Sequence, residues 1–197
     1  YIVKEKPDII HIQECHNPLI WLILPVLKSR FPIVLTLHDV KPHISEESIY
    51  RETMVKFATK YIDVIIVHGL YLKDLATVFL KFPREKIYVI PHGEFSIYSK
   101  FSKKQLYDYE ELPNTILFFG RILRYKGLEY LIKAEPIVSN RIPDLRIIIA
   151  GTGKDFRCYK SLLKNKDVFD VHNKYIPNEE VSKFFQQSSV VVLPYID

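Results

Sequence analysis

The chain has 197 residues, 48% of them hydrophobic and 26% charged, with a formal net charge of +5. This is the composition of a globular protein, and it excludes disordered and low-complexity classes. The length accommodates one large domain or two small ones.

Two cysteines, Cys15 and Cys158, lie far apart and lack metal-ligand spacing. A reduced, cytoplasmic compartment fits them better than a disulfide framework. No signal-peptide pattern is present. The longest apolar run, Pro18 to Leu27, is too short to span a bilayer and reads as a buried helix face. Residues 1–105 hold 15 Lys+Arg against 11 Asp+Glu, and the remainder holds 13 against 12. A mildly basic half is ordinary for a solvated surface, and it also suits an anionic membrane surface or acidic substrates.

In chain order, short apolar runs alternate with longer amphipathic ones. Strands are predicted at Ile9–Gln13, Ile33–Leu37, Val64–Val67, Ile87–Ile90, Thr115–Phe119, Arg146–Ala150 and Val190–Leu193, with a short one near Asp170–Lys174. Helices are predicted at Asn17–Arg30, Ser45–Tyr61, Tyr71–Leu80, Gly127–Ser139, Gly153–Asn165 and Asn178–Gln187. Asn17, Ser45 and Asn178 stand as N-caps, and Pro136 is expected to kink or shorten its helix. Alternating strands and helices, with strands apolar throughout, predict parallel sheets covered on both faces.

Between Pro91 and Pro113 the pattern lapses into a polar, Tyr/Lys-rich stretch. A structureless span of that length is unusual inside one compact domain. It is read as a linker, which gives domains 1–105 and 106–197. The expected fold class is α/β, with two Rossmann-like parallel-sheet domains. The opening residues look like a helix tail and the last follow a strand, so both domains read as incomplete.

All six glycines sit at or after a strand's C-terminal end: Gly69, Gly93, Gly120, Gly127, Gly151 and Gly153. Ligands of open parallel sheets bind at that edge, and two such edges facing each other would make a cleft. The densest signal is FFGRILRYKGLEYLIKA, Phe118 to Ala134. A strand ends at Gly120, Arg121 and Lys126 follow, and Gly127 opens a helix. Glycines admit an anion to the backbone, and first-turn N–H groups attract it. Arg121 grips oxygens bidentately, and Lys126 adds a point charge.

That segment, followed by IIIAGTG at Ile147–Gly153 and IPNEEVSKFFQQSSVVVLPY at Ile176–Tyr195, resembles the donor domain of a GT-B glycosyltransferase of the retaining group 1, or family 4. PDIIHIQ at Pro7–Gln13, IVLTLHD at Ile33–Asp39 and VIPHGEF at Val89–Phe95 extend the resemblance over the whole chain.

The resemblance implies transfer of a hexose-type sugar from a nucleotide-diphosphate donor to a hydroxyl of a saccharide, lipid-linked or small-molecule acceptor, with retention. It implies that Arg121 and Lys126 hold the diphosphate, without metal or cofactor. It places Gly120, Gly151, Thr152 and Gly153 beside the nucleotide, and Tyr175 and Ile176 beside the base. His38 is the catalytic candidate of the N-terminal domain, with Asp39 as a group that orients it.

Glu14, His68, His92 and Gly93 are expected at the cleft, where packing or hinge roles compete with ligand contact. His11 reads as a core histidine, and the seven histidines show no metal spacing. The family's N-terminal glycine turn and a later acidic motif are not in the sequence. The piece is therefore expected to be inactive alone. The competing readings are a nucleotide-sugar epimerase and a non-catalytic nucleotide- or sugar-binding module. Nucleic-acid binding is not expected, because no recognition module or basic–aromatic stripe occurs.

Overall fold

A computed structural model of the chain describes residues 2–13, 18–41, 49–93 and 109–196. The chain forms two compact units, residues 1–93 and 94–197. Residues 94–108 of the linker, with the boundary placed near residue 105, lie outside the described residues, as do Glu14 and the caps Asn17 and Ser45; the linker's last two residues, Leu112 and Pro113, belong to a strand.

The N-terminal unit runs α1 (Ile2–Glu5), β1 (Ile10–Gln13), α2 (Pro18–Lys28), β2 (Ile33–Thr36), α3 (Ile49–Ala58), β3 (Val64–Val67), α4 (Leu70–Phe79) and β4 (Ile87–Val89). The sheet is parallel, in the order β1-β2-β3-β4. With right-handed crossovers, strands that advance in one direction put every connecting helix on the same face. The core follows that rule. Trp21, Leu24 and Leu27 of α2, Ala58 of α3 and Ala76 of α4 pack on Ile33, Leu35, Ile65, Val67 and Ile87.

Along β2 to β4 the alternate residues Val34, Val64 and Ile66 are half-buried and Tyr88 is 55% exposed, while Thr36 on that face is buried and bonded to His11. The expected cover on both faces is thus not supplied by the described helices of this unit. The apolar run Pro18–Leu27 is also only partly buried. Its helix presents one stripe to the sheet and leaves Leu19, Leu22 and Val26 58–74% exposed. Among the described residues, no helix is long and apolar enough to cross a membrane.

The C-terminal unit runs β5 (Leu112–Phe119), α5 (Leu128–Ser139), β6 (Arg146–Ala150), β7 (Phe169–His172), α6 (Asn178–Gln186) and β8 (Ser188–Val191). Its parallel sheet has the order β7-β6-β5-β8. The chain winds outward through β6 and β7, then returns to the far side of β5, as in a doubly wound sheet. Both faces are covered. Leu128, Leu131 and Ile132 of α5 pack on Phe118, Ile147 and Ile149. Val181 and Phe184 of α6 pack on Leu117, Ile148 and Ala150.

Three local expectations change. The helix predicted at Gly153–Asn165 is replaced by 3₁₀ turns, Phe156–Leu162 and Lys166–Val168. Phe156 and Tyr159 are buried three residues apart, with Leu162 packed beside them, which is the period of a 3₁₀ helix. The Asp155 side chain accepts from the Arg157 amide and starts the turn. Pro136 does not shorten α5, which continues to Ser139. Asn178 is the first residue of α6 and not its cap, which is Pro177.

Candidate functional site

β5 and β6 keep pairing beyond their last strand residues. The Gly120 amide donates to the Ala150 carbonyl at 2.9 Å, and the Ile122 amide to Thr152 at 2.8 Å. The Lys154 amide then returns to Ile122 at 2.9 Å. Two turns are thereby held edge to edge. Gly120 and Gly151 have φ of +129° and +149°, which favour glycine. A Cβ on Gly151 would stand 1.8 Å from the Gly120 carbonyl oxygen, so the turns approach as backbone only.

A cavity of about 250 Å³ opens there. It is lined by Phe119, Gly120, Arg121, Gly151, Thr152, Tyr175, Ile176, Asn178 and Val181. Six of these, Gly120, Arg121, Gly151, Thr152, Tyr175 and Ile176, are residues that the sequence singled out. The structure thus brings together positions from three separate motifs. Gly153 stands just outside, bridged to Ile122.

Asn178 and Val181 were missed. They reach the cavity because α6 begins at Asn178, two residues after Ile176, a relation that only the fold supplies. Asn173 was missed as well. Its Oδ1 accepts from the Phe156 amide at 2.8 Å, and its Nδ2 donates to the Gly151 carbonyl at 3.3 Å.

The two cations occupy different places. Arg121 lines the cavity, and its guanidinium lies 3.4 Å from the hydroxyl of buried Tyr125. Lys126 does not line it. Its ammonium donates to the Tyr195 hydroxyl and lies 3.9 Å from the centre of that ring. This pairs a cation with an aromatic face.

The start of α5 is likewise outside the cavity. Gly127 has φ of +69°, and a Cβ there would fall 1.7 Å from the Pro194 carbonyl oxygen. The Ile196 amide donates to Tyr125 at 3.0 Å. The α5 N-terminus, expected to face an anion, lies instead against the segment that follows β8.

In the N-terminal unit, His38, His68 and His92 follow β2, β3 and β4. Parallel register puts the three strand ends at one edge: Leu37 donates to Ile66, and Ile90 to Val67, each at 2.9 Å. The ring centroids are 4.1–5.1 Å apart. His38 and His68 are half-buried, and His92 is exposed. Their spacing in sequence, 30 residues from His38 to His68 and 54 from His38 to His92, gave no hint of this cluster.

Asp39 is half-buried beside it, and Gly93 is exposed. His11 is not a core residue. It lies exposed on β1 and bonds buried Thr36 at 2.8 Å.

Two Rossmann-like parallel sheets, the second with a cavity at its C-terminal edge, define a protein of GT-B architecture. The profile described as "Glycosyl transferases group 1" matches residues 100–197, and that described as "Glycosyltransferase Family 4" matches residues 1–93. The chain belongs to the group 1 glycosyltransferases of the GT-B fold.

An uncharacterized glycosyltransferase of Methanocaldococcus jannaschii is 27% identical over 98% of this chain and 53% of that protein. A glycosyltransferase of Rickettsia africae has a similar solved structure, with a TM-score of 0.68 and 18% identity over 100% of this chain and 53% of that one. The pneumococcal O-GlcNAc transferase GtfA, solved in complex with UDP and GlcNAc, has a TM-score of 0.63 and 17% identity over 94% of this chain and 37% of that one. The chain spans about half the length of the curated relative from M. jannaschii.

Proposed function

We propose that the protein moves a hexose-type sugar from a nucleotide-diphosphate donor to an acceptor hydroxyl, with retention. The observation that carries this reading is the cavity at Gly120–Arg121. It combines open backbone, a guanidinium, and a wall formed by Thr152, Tyr175 and Ile176. It accepts the nucleotide diphosphate, with Arg121 on the phosphates and Tyr175–Ile176 beside the base. Gly153 supports the turn.

The bond between the anomeric carbon and the diphosphate oxygen breaks, and the acceptor oxygen bonds to that carbon on the same face. The acceptor's proton passes to the departing phosphate oxygen. Negative charge builds on the diphosphate as it leaves, and Arg121 stabilises it. Lys126, held over Tyr195, adds its charge to the same leaving group. These two cations do the work that a metal ion does elsewhere, so the donor needs none.

Within the N-terminal unit His38 is the catalytic candidate, with Asp39, His68, His92 and Gly93 at the same sheet edge. The acceptor is a saccharide, a lipid-linked sugar or a small metabolite, as in polysaccharide biosynthesis. The protein works in the cytoplasm. The basic N-terminal half and the exposed Leu19, Leu22 and Val26 support contact with a membrane surface.

The full-length protein, offered UDP-, GDP- and ADP-sugars with hydroxyl acceptors, is expected to release nucleotide and form a glycoside from at least one donor. Binding of nucleotide with neither release nor glycoside would mark a non-catalytic module. Conversion of the nucleotide sugar to its epimer would mark an epimerase.

A further inference from the structure

His38, named above as a catalytic candidate, is one member of a histidine cluster that lies in the N-terminal unit and not in the donor cavity. Three imidazoles from three adjacent strand ends point nitrogens at one another. His38 Nδ1 is 3.1 Å from His68 Nε2 and 3.1 Å from His92 Nε2, and the three ligand atoms lie within 4.8 Å of one another.

The protonation pattern follows from one neighbour. His68 Nδ1 lies 2.8 Å from the Ile90 carbonyl oxygen. A carbonyl only accepts, so Nδ1 carries the proton, and neutral His68 turns a lone pair on Nε2 inward. His38 Nδ1 can hold one proton, yet it faces two nitrogens at equal distance. With neutral rings one N–H at most is shared among three basic nitrogens that crowd one centre.

One cation resolves that crowding. Ring nitrogens about 2.0–2.1 Å from a zinc ion stand about 3.3 Å apart in tetrahedral geometry, close to the two 3.1 Å separations from His38 Nδ1. His68 already has the outer contact that metal-bound histidines use, a ring N–H donated to a carbonyl, which fixes tautomer and orientation. Imidazole nitrogens suit zinc and its first-row neighbours. With His92 exposed, the site is open to solvent.

We infer that His38, His68 and His92 bind one divalent transition-metal ion through Nδ1, Nε2 and Nε2. A further coordination position is left for water or for an oxygen of a bound molecule. This inference goes beyond glycosyl transfer and does not depend on it.

The test uses metal-free, full-length protein titrated with Zn²⁺, and with Co²⁺ as a spectroscopic probe. One site in wild type is expected to lose affinity by roughly tenfold or more in both His38→Ala and His92→Ala. His172→Ala, in the C-terminal unit, should bind as wild type. Zinc-edge X-ray absorption of the loaded wild-type protein should show three imidazole ligands, whether or not the variants fold. Absence of binding to wild type, wild-type affinity in the His38→Ala or His92→Ala variant, or a zinc shell with fewer than three imidazoles would overturn the assignment.

Discussion

Gly151 and Gly120 meet as bare backbone: a Cβ on the first would stand 1.8 Å from the carbonyl oxygen of the second. The same test at Gly120 finds nothing within 4 Å, although its φ is also positive. Gly151→Ala therefore meets both strain and a backbone clash, and Gly120→Ala meets strain alone. We expect Gly120→Ala to lose about 1–3 kcal/mol of stability, the scale of a strained backbone, and Gly151→Ala to lose clearly more. Urea unfolding of both variants checks the order. Equal losses would mean that the turns separate freely.

Lys126 and Tyr195 give a second prediction. If the ammonium over the ring serves the leaving diphosphate, Lys126→Ala should weaken transfer by about 2–4 kcal/mol in kcat/KM, as for loss of an oxyanion donor. Tyr195→Phe keeps the ring face and should lose less than Tyr195→Ala. Steady-state kinetics of the full-length protein decide this. Unchanged turnover in Lys126→Ala would remove Lys126 from the mechanism.

Much of this was legible in the sequence. Val64–Val67 and Arg146–Ala150 are strands with the predicted bounds, because buried parallel strands are written as unbroken apolar runs. Gly120, Gly151 and Tyr175 were legible as strand-end or loop positions. The histidine cluster was not, since register across three strands brings together residues that are remote in the chain. Residues 153–165 misled because Phe156, Tyr159 and Leu162, spaced three apart, fit the helical period of 3.6 nearly as well as the 3₁₀ period of three. The exposed face of α2 was hidden for a related reason: hydropathy names apolar residues and not which of them meet the sheet.

Asp63 sets an acid limb on stability. Burial alone would raise its pKa, but the bonds from Lys28 and from the Ile33 amide at 2.7 Å, with the Lys28 and Lys86 charges, hold it below the ordinary carboxylate value. A depressed folded pKa means that the unfolded chain binds the proton first. The stabilisation is therefore full above the unfolded pKa, near 3.8, and is lost as pH falls through the lower folded value. The pair is partly solvated, so the contribution is about 1 kcal/mol. Asp63→Asn should flatten this limb in denaturation curves taken from pH 6 downward. An unchanged pH dependence would contradict the assignment.

Asn173 bridges Phe156 and Gly151, and so ties the first 3₁₀ turn to the cavity wall. Asn173→Ala strands the Phe156 amide and should destabilise by about 1–3 kcal/mol. Asn173→Asp keeps the acceptor for that amide and should recover part of the loss. Thermal unfolding of both variants gives the comparison, and equal stabilities would show that the bridge contributes little.

The central claim is that the cavity at Gly120–Arg121 holds a nucleoside diphosphate through Arg121. Calorimetric titration of the full-length protein with UDP, GDP and ADP, repeated with Arg121→Ala, tests it most directly. One nucleotide should bind with one-to-one stoichiometry, and the variant should bind it at least about tenfold more weakly, a loss of about 1.4 kcal/mol. Wild-type affinity in Arg121→Ala, or no binding of any of the three by the wild type, would contradict the claim.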